Sequence, residues 1–180
     1  MPRAGLLGGA AGGFGAPTDF PAGDTPFAVA VGEFNGDNDP DLAVANQGSN
    51  NVSVLLGGAG GSFGAPATYP TGFGPSSVAV ADFNGDQDPD LAVVNQFAGT
   101  VSVRLGGAGG TFGALASFPA GADPTSVVAA DFNGDNDPDL AVANQLSNNV
   151  SVLLGGAGGS FGTAATFPVG SAPFSVAVGN

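Results

Sequence analysis

Asp82-Phe83-Asn84-Gly85-Asp86-Gln87-Asp88-Pro89-Asp90-Leu91 is the stretch on which the reading of this chain turns. It has one copy at residues 33–42 and another at 131–140, each displaced by 49 residues and free of insertions. The surroundings repeat with it: Ser77-Val78-Ala79-Val80-Ala81 returns as Ser126-Val127-Val128-Ala129-Ala130, and Phe14, Phe63, Phe112 and Phe161 keep the same spacing. An ungapped period of that length means one supersecondary unit copied and stacked. With 33 Gly and 14 Pro in 180 residues, composition alone would suggest a disordered chain. Disorder does not hold Phe, Val and Leu in phase across copies.

Each unit reads as four short strands. Residues 27–32 alternate apolar and small side chains, 41–46 form a short Leu/Val run, 52–56 alternate with period two, and 63–69 end at a Pro-Thr-Gly turn. The acidic stretch joins the first two strands, an Asn/Gly/Ser turn the next two, and the bend Gly57-Gly58-Ala59-Gly60-Gly61 precedes the last. Four strands in such a span make a propeller blade, so the class is all-β with propeller-type blades of four antiparallel strands. The array runs 1–180 as one domain. Strands three and four of a partial repeat lie in 1–26, full repeats in 27–75, 76–124 and 125–173, and the first strand of a further repeat in 174–180.

Charge is concentrated. Fifteen Asp and Glu oppose two Arg, with no Lys or His, for a net charge of −13. Windows 33–41, 82–90 and 131–139 hold four acids each, 12 of the 15. Such a chain repels nucleic acid and anionic membranes. No apolar run approaches the ~20 residues of a spanning helix, so membrane insertion is not expected. Neither is a disulfide, since there is no Cys. A conventional nucleophile–base pair is also missing, and the clustered carboxylates suit a cation better than an acid/base dyad, so the chain is not expected to be an enzyme.

Oxygen-bearing side chains at positions 1, 3, 5 and 9 of the acidic loop converge on one point, and a main-chain carbonyl at position 7 can complete the shell. Ca²⁺ takes six to eight such oxygens at ~2.3–2.6 Å. Polar turns use the same residue types, but an ordinary turn needs one or two of them, not four at one alternation in three copies. No helical pattern flanks the loops, which points to a Ca²⁺ site in a β-hairpin.

The Asp-Phe-Asn-Gly-Asp…Asp-Leu-Ala-Val stretch, followed by Val-Ser-Val-Leu-Leu-Gly and by Gly60-Gly61-Ser62-Phe63-Gly64-Ala65-Pro66, resembles the FG-GAP repeats of integrin α-chains and their bacterial relatives, over essentially the whole chain. The resemblance implies propeller blades with Ca²⁺ in the loop between strands one and two, up to three ions here. It implies side-chain ligands Glu33, Asn35, Asp37 and Asp41; Asp82, Asn84, Asp86 and Asp90; and Asp131, Asn133, Asp135 and Asp139. Asp39, Asp88 and Asp137 would add their carbonyls. Two departures stand out. Position 6, usually Gly, is Asn38, Gln87 and Asn136, and Gln87, which tolerates a left-handed backbone less well than Asn, is expected to give the second loop a different turn. Position 1 of the first loop is Glu33, whose extra methylene is expected to weaken or reshape that site.

Phe63, Phe112 and Phe161, with Phe14, are expected between neighbouring blades, and Phe34, Phe83 and Phe132 in the core. Asn51-Val52-Ser53 and Asn149-Val150-Ser151 satisfy the glycosylation sequon, with a chance match at a turn an equal reading. Arg104 stands where the other copies have Leu55 and Leu153, and reads as a residue of a solvated face or a partner in a salt bridge between subunits.

Met1 falls in register with Asn50 and Asn180 with Glu33; four repeats of 49 would take 196 residues, 16 more than are present. Open strand edges invite pairing with another chain. The expectation is therefore self-association through open blade edges, in a calcium-stiffened structural subunit of an extracellular fibre or oligomer. The alternative is an integrin-like adhesion module binding a protein or glycan ligand. Either role places the chain outside the cell or at its surface, although no secretory leader is visible in it.

Overall fold

The computed structural model describes residues 4–5 and 16–179. Phe14 and half of the partial repeat expected over residues 1–26 lie outside them. The described residues form strands and turns with no helix, and hence no helix long and apolar enough to cross a membrane.

Three four-stranded antiparallel sheets carry the fold, each paired in simple sequence order. The first comprises Pro26–Gly32, Asp41–Asn46, Asn51–Leu55 and Ala67–Pro70; the second Pro75–Ala81, Asp90–Asn95, Thr100–Arg104 and Ala116–Pro119; the third Pro124–Ala130, Asp139–Asn144, Asn149–Leu153 and Ala165–Pro168. Registers repeat with the period: Leu42 faces Leu55, Leu91 faces Arg104, and Leu140 faces Leu153. A further pair, Ala4–Gly5 with Thr18–Asp19, precedes them.

One detail departs from the sequence reading. The segment 63–69 is not a single strand: Ser62–Phe63 pairs back onto Gly57–Gly58 in a miniature hairpin, and the fourth strand begins at Ala67. The Gly-rich bend is therefore itself a paired element. The same happens at Gly106–Gly107 and Gly155–Gly156.

Blades stack face to face, which explains why the second strands are apolar on both sides. Leu91 and Val93 face the first blade and pack with Ala43, Ala45, Val52 and Val54; Ala92, Val94, Val101 and Val103 face the third and pack with Leu140 and Val142. Every residue of Asp90–Asn95 is buried, whereas Leu42 and Val44 of the first blade are only half-buried. The first strands lie side by side along the array.

Aromatic side chains key one blade into the next. Phe112 sits edge-on to Phe34 and Tyr69, and Phe161 edge-on to Phe83 and Phe118, at centroid distances of 5.3–5.4 Å. Phe63 meets Phe20 likewise at 5.0 Å. Such edge-to-face pairs add about 0.5–1.5 kcal/mol beyond burial. Phe132 departs from its expected place in the core and is largely exposed. No described ring takes the place beside it that Phe112 and Phe161 take beside Phe34 and Phe83.

Arg104 is also not where either reading placed it. It is buried at the junction of the first two blades. Its Nε and Nη2 donate to the Pro70 carbonyl at 3.1 and 2.9 Å and its Nη1 to the Gly113 carbonyl, and the guanidinium lies 5.7 Å from the Tyr69 ring centroid. The planar fork satisfies two backbone acceptors while Tyr69 supports the charge from one side.

Candidate metal centre

Each acidic loop is a chain of side-chain-to-backbone turns. In the second loop Asp82 Oδ1 accepts from Gly85 N at 2.7 Å and Asp86 N at 3.2 Å, and its Oδ2 accepts from Gln87 N at 2.9 Å. Asn84 Oδ1 accepts from Asp86 N, and Asp86 Oδ1 from Asp88 N, both at 2.9 Å. The third loop repeats these bonds through Asp131, Asn133 and Asp135, except that Asn133 N takes the place of the position-5 N–H on Asp131 Oδ1. Short polar side chains bonding their own backbone two to five residues on is the reason Asp and Asn occupy these positions.

The position-6 residue is left-handed in all three loops: φ is 69° at Asn38, 74° at Gln87 and 71° at Asn136. The second loop thus keeps the turn of the others despite its Gln, contrary to the expectation from the sequence. The bond from Gln87 N to Asp82 holds it there. Glu33 does reshape the start of the first loop, where its Oε1 takes Asn35 N at 3.3 Å and Gly36 N at 2.8 Å only.

Position 9 behaves differently from positions 1, 3 and 5. Asp41, Asp90 and Asp139 are fully buried at the base of the loop. Asp90 Oδ2 accepts from Phe83 N at 2.7 Å and Oδ1 from Gly106 N at 2.6 Å; Asp41 binds Phe34 N and Gly57 N, and Asp139 binds Phe132 N and Gly155 N in the same manner. One carboxylate thereby ties position 2 of the loop to the Gly-rich hairpin after the third strand. Gly57, Gly106 and Gly155 serve because a Cβ there would strike the carbonyl oxygen of Pro40, Pro89 or Pro138. Reading the sequence missed these glycines; their signal was the unbroken Leu-Gly-Gly recurrence at the repeat period.

Burial pushes the Asp90 carboxyl above the ordinary aspartate range; the N–H groups of Gly106 and Phe83 oppose this, and the charges of Asp86 and Asp82 add to it. Asp131, at the rim, is held below that range chiefly by the N–H groups of Gly134 and Asn136. The loop thus has a buried anchor and an outer set of oxygens. With position 9 drawn inward, no three Asp, Glu, His or Cys side chains among the described residues are gathered into a metal-holding group. The donor chemistry nevertheless fits a hard cation. Every side chain in question offers oxygen, and a carboxylate has about four lone-pair sites, of which the turn bonds occupy two or three. With no thiol or imidazole in the chain, the softer metals have nothing to select them.

The sequons lie in third strands, where Ser53 and Ser151 are fully buried and Asn51 and Asn149 are half-buried, each Oδ1 accepting from the buried amide of Asn46 or Asn144 at 2.8 Å.

Comparison with known proteins bears on the repeats and on the fold. The family described as FG-GAP-like repeat matches residues 33–93 and 82–142, together more than half of the chain, and the FG-GAP repeat matches 124–165. No curated protein matches the chain. Among solved structures, BBS1N in complex with ARL6DN, soaked with lead, is 16% identical at a TM-score of 0.59, covering 88% of this chain and 49% of that one. The mercury-soaked form is 17% identical with the same TM-score and coverage. The Tc holotoxin pore of Photorhabdus luminescens, 17% identical over 94% of this chain and 8% of that one, reaches only 0.47. The chain spans about half the length of the BBS1N structures, and the likeness to them is one of fold.

Proposed function

As this chain belongs to the FG-GAP repeat family, we propose that it is a non-catalytic structural module whose three acidic loops each take up Ca²⁺, acting in an extracellular fibre or oligomer. The left-handed turn shared by Asn38, Gln87 and Asn136 carries the reading. A calcium loop needs a sharp turn at position 6, and all three copies adopt it, the second with Gln in place of Asn. Asp82, Asn84, Asp86 and the Asp88 carbonyl would hold the ion at the rim with Asp90 beneath, as would Glu33, Asn35, Asp37, Asp39 and Asp41 in the first loop and Asp131, Asn133, Asp135, Asp137 and Asp139 in the third. The bound ion would neutralise the crowded acids and stiffen the connection between the first two strands. An extracellular setting supplies the calcium that modules of modest affinity require.

The test is thermal unfolding with and without chelator. A site saturated at a hundredfold excess over Kd adds about 2.7 kcal/mol, so EDTA is expected to lower Tm by roughly 5–11 °C for each site that is emptied. Identical melts in Ca²⁺ and EDTA would end the calcium reading.

An adhesion role has its own supporting observation. Phe73 and Phe97, with ring centroids 5.3 Å apart, and Leu146 are exposed at the end of the blades away from the acidic loops. BBS1N, of the same fold, is in complex with a protein, ARL6DN. A protein partner retained by this chain and released by Phe97→Asp would favour that role.

A further inference from the structure

The side-by-side first strands are stitched by hydroxyls at the repeat period. Ser76 Oγ donates to the Pro124 carbonyl at 3.2 Å and Val127 N donates to Ser77 Oγ at 3.3 Å. One repeat on, Thr125 Oγ1 donates to the Phe174 carbonyl at 2.9 Å and Val176 N to Ser126 Oγ at 3.3 Å. Segment 173–179 is not paired into a strand, unlike the first strand expected there, but it lies where a first strand lies, and Phe174-Ser175-Val176-Ala177-Val178 repeats the pattern of Phe27-Ala28-Val29-Ala30-Val31.

Among the described residues two surfaces in this series are left uncovered. At the first blade Val29 is 60% exposed and Val31 64%, whereas Val127, the equivalent of Val29 in the third blade, is 5% exposed beneath the neighbouring strand. Beside them Phe27, Val29, Leu42, Val44 and Leu55 line an apolar cleft together with Phe20 and Phe63. At the other end Ser175, the counterpart of Ser77 and Ser126, is exposed. What covers such a face is visible twice within the chain: the first strand of the preceding unit, with its serine accepting from the valine N–H. Residues 1–15 carry no such Phe-Ser-Val-Ala-Val pattern.

We propose that copies of this chain associate head to tail, the 173–179 segment of one lying along Pro26–Gly32 of the next, with Ser175 Oγ accepting from Val29 N. The two surfaces differ, so the contact is heterologous and builds a ring or an open filament instead of a symmetric pair. It deepens the self-assembling role given above but does not rest on calcium. Melting in EDTA reports on calcium and particle mass reports on assembly, so one can fail without the other.

Sedimentation of the full chain over a wide concentration range is expected to show masses rising in steps of the 17.1 kDa protomer. Val29→Glu should weaken association by about tenfold or more and Ser175→Ala by about fivefold, with melting of the dilute protomer unchanged because both positions are exposed there. The chain has no cysteine, so engineered thiols report cleanly. Mixed Val29→Cys and Ser175→Cys copies should form a disulfide-linked dimer, and neither should do so alone. A protomer mass at every concentration, or disulfide dimers of Val29→Cys with itself, would overturn the proposal.

Discussion

The second and third acidic loops differ at one residue in ten, Gln87 against Asn136, yet their aromatic residues have different fates. Phe83 is 2% exposed and Phe132 is 44% exposed. Phe83 stands edge-on to Phe161 of the next blade, and no described ring does the same for Phe132. Both loops keep all but one of their turn bonds and the same buried aspartate beneath them. The conformation of the loop is thus a local property, whereas burial of its aromatic residue belongs to the blade that follows. Repeat proteins owe their stability to this division between intrinsic and neighbour terms.

Alanine substitution tests the division most sharply. Phe83→Ala is expected to cost about 3–5 kcal/mol, the usual range for emptying a buried aromatic site, and Phe132→Ala about 1 kcal/mol, read by denaturant or thermal unfolding. Equal losses would mean that the two junctions are not different after all. A smaller effect separates the turns themselves. Gln87→Gly removes the penalty of a left-handed non-glycine residue and should stabilise by up to about 1 kcal/mol, while Asn136→Gly should gain less because Asn tolerates that region. The smallest effect is electrostatic. In calcium-free solution, NMR titration should find Asp90 protonating above the ordinary aspartate range and Asp131 below it. Between the ordinary value and its raised folded value, Asp90 binds more protons folded than unfolded, so its contribution to stability falls as pH rises through that window. Asp131 contributes stability above the ordinary value and loses it as pH falls toward its depressed folded value.

The period and the alternation of apolar residues made the blades legible, because stacking copies requires the same face at the same phase. The acidic loops were legible for a related reason: alternate Asp and Asn at fixed offsets leave few local conformations. Arg104 was not legible, since its partners are carbonyls of Pro70 and Gly113, and backbone acceptors leave no mark in a sequence. The turn at Gln87 was misjudged because residue preference was weighed without the bond its N–H makes to Asp82. The inward turn of Asp41, Asp90 and Asp139 was hidden as well, because its cause lies 16 residues downstream in Gly57, Gly106 and Gly155.

That buried aspartate has a bearing on descent. Both of its partners lie within its own unit, 7 residues before it and 16 after. A duplication or deletion of whole multiples of 49 residues keeps every such carboxylate with its two N–H donors. One that severs an aspartate from the glycine hairpin after it strands a charge in the interior, at a cost few small domains could survive. The lineage of the array is thereby held to whole steps, and the equal length of its copies is what that constraint would leave behind.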